Sequence, residues 1–184
     1  LQRRRQRQMC IRDSNEIIVT EKSGKIKIVD ILTNQIQEVD HQLDFVVHGQ
    51  GGLLDIIHKD NIVWISYTED RGNYKTSTSI ARAKLNKKKL VFKNIFQANP
   101  PIDSGYHFGS RLAIKGNYIY ASAGERGQGM IAQDASKHPG SIIRVHLDGS
   151  IPNDNPRFEG KSDWLPEIYQ IGCLLYTSPS PRDT

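Results

Sequence analysis

Along most of the chain, apolar and polar residues alternate in short runs separated by turn-forming residues. Glu16–Thr20, Lys25–Ile31, Leu53–Ile57, Ile62–Tyr67, Ser79–Leu85, Lys89–Phe96, Arg111–Ile114, Tyr118–Ala123 and Ser141–Leu147 each read as a β-strand. Ser23-Gly24, Lys59-Asp-Asn61, Asn86-Lys-Lys88, Lys115-Gly-Asn117 and Asp148-Gly149 fall between them as turns. No stretch keeps a helical period for three turns, and a single turn of helix is predicted at Gln133–His138. Leu53–Tyr67 and Arg111–Ala123 share one pattern with a single gap, and their asparagines, Asn61 and Asn117, stand 56 positions apart. A repeat of that length in an all-β chain predicts propeller blades, small sheets that bury their faces only against neighbouring blades. A β-sandwich is the plainer alternative.

Composition changes the picture mainly at the two ends. The chain has 184 residues and a formal charge of +5. Arg3, Arg4, Arg5, Arg7 and Arg12 against Asp13 supply +4 of it, while Arg182 and Asp183 cancel. Met9-Cys-Ile-Arg-Asp13 can be written ATG TGT ATA AGA GAC, whose reverse complement lies inside a DNA string encoding Cys173-Leu-Leu-Tyr-Thr-Ser178. One inverted DNA element can therefore account for both termini, so residues 1–14 and 173–184 are read as adaptor-derived, disordered ends. Residues 15–172 then form one domain-like span. The basic arm Arg3-Arg-Arg-Gln-Arg7 lies wholly in the first end and carries no nucleic-acid reading. Both cysteines, Cys10 and Cys173, lie in these ends, which leaves no disulfide or thiolate metal site to argue. No apolar run approaches the length of a membrane span.

Chemistry concentrates in Gly105-Tyr-His-Phe-Gly-Ser-Arg-Leu112 and Tyr118–Glu125. These place His107 and Glu125 at the same end of adjacent predicted strands. A histidine facing a carboxylate is a ready general base. The glycine-rich stretches Gly49–Gly52 and Gly124–Gly129 are rejected as phosphate loops, because neither opens a long helix. Asp148, Asn153, Asp154 and Asn155 miss the spacing of a calcium loop and read as turn residues. No zinc spacing and no GxSxG elbow occur.

With Gly49-Gln-Gly-Gly-Leu-Leu-Asp55 upstream and Gly140–Pro156 downstream, these motifs resemble those of the soluble PQQ-dependent aldose sugar dehydrogenases of the glucose/sorbosone dehydrogenase family. The resemblance runs from Ile17 to Gly172. It implies an all-β fold, a partial six-bladed β-propeller of about three blades of antiparallel strands, and an open arc of poor solubility. It implies that the parent protein oxidises an aldose at its anomeric carbon to a lactone, that it uses PQQ and calcium, and that it works in the periplasm. His107 would be the base, Glu125 its orienter, Gln50 a cofactor-pocket amide and Gln128 a looser cofactor-side amide. The metal ligands and the electron acceptor are not assigned. In the relatives, a motif like Glu167–Gly172 leads into an Arg-Asn-Pro-Gln-Gly stretch that helps to clamp PQQ. Here Cys173 follows instead, so the fragment alone is expected to be inactive. Tyr106 departs from the Asp or Asn that precedes the histidine in relatives. Two rival readings are a propeller lactonase with a metal held by carboxylates such as Asp103 and Glu125, and a non-catalytic ligand- or protein-binding propeller.

Overall fold

The computed structural model describes residues 15–157, 160 and 162–173. Twelve strands among them build three four-stranded sheets. The first sheet holds β1 (Glu16–Thr20), β2 (Ile26–Asp30), β3 (Ile36–His41) and β7 (Lys89–Leu90). The second holds β4 (Leu53–Lys59), β5 (Ile62–Asp70), β6 (Thr76–Lys84) and β8 (Lys93–Gln97). The third holds β9 (Gly109–Lys115), β10 (Tyr118–Ala123), β11 (Ser141–His146) and β12 (Ile168–Ile171). Every pairing is antiparallel except that of β3 with β7, which is parallel. The three sheets are successive blades of a propeller. The ends read from the sequence as adaptor-derived, residues 1–14 and 173–184, lie outside the described residues except for Cys173, which is buried.

The repeat read from the sequence is the inner hairpin of two successive blades, β4–β5 and β9–β10. In the first, Asp60 and Asn61 both take positive φ, +48° and +61°, the geometry of a tight hairpin turn that matches strand twist. β1 differs from β4 and β9 in direction. Its far end meets the start of β4, where Thr20 Oγ1 donates to Leu54 O at 3.4 Å and Leu53 N donates to Lys22 O at 3.3 Å.

Alternation along the middle blade sorts its side chains to two faces. Val63, Ile65, Tyr67, Ala81 and Ala83 join Ile18, Ile26, Ile28, Val39 and Leu90 in a core against the first blade. Trp64 and Ile80 point the other way, joining Leu112, Ile119, Ala121, Ile143, Val145 and Trp164 against the third. Both faces of the middle blade are thus dry, and polar bonds pin the second joint. Trp64 Nε1 donates to Leu147 O at 3.0 Å and Ser66 Oγ to Ser110 O at 2.6 Å.

Three expectations are corrected. The run Lys89–Phe96 is not one strand, because the chain leaves the first blade after Leu90, buries Phe92, and enters the second at Lys93. β3 was not predicted, since it exposes Ile36 and buries only Val39, and neither was the short β12. The helical turn is a 3-10 helix at Gly129–Gln133, just before the predicted span. No helix among the described residues is long and apolar enough to cross a membrane.

Candidate active site

The loops entering two neighbouring inner strands, residues 48–52 before β4 and 104–108 before β9, meet at one end of the blades. Gln50 N donates to Gly105 O at 2.7 Å. This approach requires glycine, because a Cβ on Gly49, whose φ is +55°, would land on the Gly105 carbonyl. The loop after β10 closes the third side. A Cβ on Gly124 would collide with the His107 carbonyl oxygen, so the next residue, Glu125, is delivered directly beneath the histidine.

There His107 Nδ1 is hydrogen-bonded to Glu125 Oε1. The Glu125 side chain is 4% exposed and that of His107 37%. An ionised carboxylate only accepts, so Nδ1 carries the ring proton, and in the neutral imidazole Nε2 is left with its lone pair. Among the described residues no hydrogen bond reaches Nε2. Gly127 N also donates to Glu125 Oε1, at 3.1 Å, while Oε2 is buried with no partner. His107 itself sits at φ +50°, a conformation that non-glycine residues rarely adopt, and its N–H donates to Gln50 Oε1 at 2.9 Å.

The structure thus joins three of the residues singled out from the sequence: His107, Glu125 and Gln50. Gln50 differs in detail from the expected pocket amide. Its oxygen is occupied by the His107 backbone, which leaves only the Nε2 hydrogens for a ligand. Gln128 lies three residues beyond Glu125 at the start of the 3-10 helix, exposed, with its N–H on Glu125 O at 2.9 Å and, among the described residues, no side-chain hydrogen bond to any of the three. Asp154 and Asn155 hold Arg144 rather than a cation, Asn155 Oδ1 accepting from Arg144 Nε at 2.6 Å. No group of three or more His, Cys, Asp or Glu that could hold a metal occurs among the described residues.

Two residues at the site were not read from the sequence. Arg126 follows Glu125 directly in the chain, yet no ion pair joins them among the described residues. The guanidinium is turned away, buried beneath the 104–108 loop, and burial lowers its pKa to about 10. Asp55 closes the Gly49–Asp55 motif as a buried carboxyl between the blades. Its Oδ2 accepts from Leu112 N at 2.9 Å and its Oδ1 has no partner. Desolvation pushes its pKa up to about 6, opposed by the Leu112 and Ile56 N–H groups and the Arg111 charge. For Asp55 the signal was a carboxylate following the apolar pair Leu53-Leu54 in a predicted strand, and for Arg126 a cation set between glycines beside Glu125.

The family profile for Glucose / Sorbosone dehydrogenase matches residues 5–173. The chain belongs to this family. It is 30% identical over 169 residues to aldose sugar dehydrogenase YliI of Escherichia coli (strain K12), covering 87% of this chain and 45% of that protein. It is 26% identical over 192 residues to quinoprotein glucose dehydrogenase B of Acinetobacter calcoaceticus, covering 86% and 40%. The crystal structure of the soluble aldose sugar dehydrogenase from Escherichia coli in its apo form superimposes with a TM-score of 0.82 at 28% identity, over 89% of this chain and 50% of that one. The chain therefore spans less than half the length of these curated relatives. The three blades thus correspond to about half of the solved relative's length.

Proposed function

We propose that the parent protein oxidises an aldose at its anomeric carbon to the lactone, with His107 as the base. The observation that carries this reading is the His107–Glu125 pair, whose free Nε2 sits on a ring 37% exposed above a carboxylate only 4% exposed. The relatives' names support an aldose substrate and a quinone cofactor. PQQ in particular, with calcium, rests on the sequence resemblance.

His107 Nε2 takes the proton from the anomeric hydroxyl, a transfer typically worth about 10²–10⁴ in rate. Glu125 holds the ring in the accepting tautomer and faces the imidazolium that forms. As the proton leaves oxygen, the anomeric C–H bond breaks with both its electrons and the carbon–oxygen double bond forms. PQQ, when bound, supplies the two-electron acceptor for that hydride, and calcium would polarise it. Gln50 would hold the reactive edge through its uncommitted Nε2 hydrogens. That fit covers only part of PQQ. The nearby cations Lys22 and Arg126 are engaged with backbone oxygens, so charged partners for its carboxylates would come from outside the described residues. The described residues alone are accordingly expected to be inactive. Export to the periplasm is likewise a proposal from the resemblance.

The test is to recover the longer gene, reconstitute its product with PQQ and calcium, and follow dye reduction by aldoses. Sugar-dependent reduction that collapses in His107→Ala is the expected result. Activity near the wild-type level in that variant would overturn the assignment.

A further inference from the structure

Arg126 is a fully buried cation whose hydrogen-bond acceptors are all neutral. It is 3% exposed. Its Nε donates to Tyr106 O at 2.9 Å, Nη1 to Thr76 O at 3.1 Å, and Nη2 to Thr76 Oγ1 at 2.8 Å and to Ser104 O. The guanidinium carbon lies 3.6 Å from the centre of the Phe108 ring. The Glu125 charge acts on it only through space, with no ion pair between them among the described residues, so the desolvated guanidinium is held mainly by several fixed dipoles and a ring face that converge on it. Three of its anchors, Ser104, Tyr106 and Phe108, flank His107 in the chain. The fourth, Thr76, begins β6 in the neighbouring blade.

Resting on the oxidative reading above, we propose that Arg126 is the positioning residue of the site, clamping both sides of His107 so that the imidazole is held on Glu125 in a left-handed backbone conformation. The clamp fixes the loop from below while Gln50 fixes the His107 N–H from the side. Glu125 and Arg126 are consecutive, so a single turn of chain supplies both the carboxylate that orients the ring and the guanidinium that orients its backbone. Lysine cannot replace the clamp, since one ammonium cannot reproduce the planar fork that reaches Tyr106, Thr76 and Ser104 together. Misplacing a reacting group by about 1 Å costs on the order of 10²-fold in rate.

The test uses the full-length protein reconstituted with PQQ and calcium, with Arg126→Lys as the principal variant. Arg71→Lys is the control, because Arg71 is part-buried and bonds Ser77 Oγ and Ala98 O, with no hydrogen bond to residues 104–108 among the described residues. Two readouts are taken: hydrogen–deuterium exchange of peptides covering 104–112, and steady-state kinetics. Arg126→Lys is expected to speed exchange in that segment at least tenfold, about the effect of losing 1.4 kcal/mol of local protection. It should also lower kcat about 10²-fold while KM for the sugar stays within about threefold. Arg71→Lys should change neither. Unchanged exchange in 104–112, or faster exchange with wild-type kcat, would overturn the proposal. Should Arg126→Lys fail to fold, Thr76→Val, which removes one acceptor of the fork, decides by the same two readouts. If the wild-type protein oxidises no aldose, the functional reading fails, while the exchange data still decide whether Arg126 holds the His107 loop.

Discussion

Asp55 offers a prediction that needs no knowledge of the substrate. Its carboxyl is 2% exposed, one oxygen accepts from Leu112 N across the joint between two blades, and the other has no partner. Burial raises its pKa from the ordinary 3.8 to about 6. The folded protein therefore holds this proton more tightly than the unfolded chain does. As pH rises through the window from 3.8 to about 6, the unfolded chain releases the proton first and stability falls. Above that window the full penalty applies, about 3 kcal/mol for a difference of that size. Asp55→Asn keeps an oxygen for Leu112 N and cannot ionise. Denaturant unfolding of both forms from pH 4 to pH 8 should show the variant gaining about 3 kcal/mol relative to the wild type across the window, whatever fixed cost the buried amide adds. Parallel stability curves for the two proteins would refute the reasoning.

Other outcomes follow from the same geometry. Glu125→Gln should lower kcat of the reconstituted enzyme by about 10²-fold or more, because an amide can also present hydrogens to Nδ1 and so admit the wrong tautomer; steady-state kinetics with saturating sugar check it. Gly124→Ala should destabilise the protein by about 1–3 kcal/mol and weaken the His107–Glu125 bond, since the added methyl meets the His107 carbonyl; thermal unfolding and exchange of the 104–112 segment measure both effects. Asn61→Ala should cost about 1–2 kcal/mol and Asn61→Gly much less, as φ at this turn is +61°, which urea midpoints will show.

Much of this fold is legible in the sequence because the blades are built from half-buried strands. β1 and β10 were read with their observed bounds, since alternation in Glu16–Thr20 and Tyr118–Ala123 reports faces that really are sorted. β3 was missed for the opposite reason: with Ile36 64% exposed, its pattern carries little burial signal, and pairing with β2 decides its conformation. The break between Leu90 and Lys93 depends on which blade offers a free edge, a tertiary fact that no local pattern records. At the site, spacing placed His107 and Glu125 at one end of adjacent strands, and the structure joins them. Spacing could not say that Gln50 would use its oxygen on the His107 backbone, or that Arg126 would turn from its neighbour Glu125 to four acceptors on other segments. Those outcomes depend on where carbonyl groups converge in three dimensions.

The Gln50 loop, the His107 loop and the Glu125 turn all belong to the second and third blades, whose shared joint is sealed by Trp64, Leu112 and Ile119. The proposed proton-handling pair and the Gln50 that braces it are thus supplied by two neighbouring blades. In a closed propeller, the groups that hold the cofactor's charges could then diversify on other blades without disturbing the dyad. On the proposed reading, acceptor chemistry and acid–base chemistry would be separable modules.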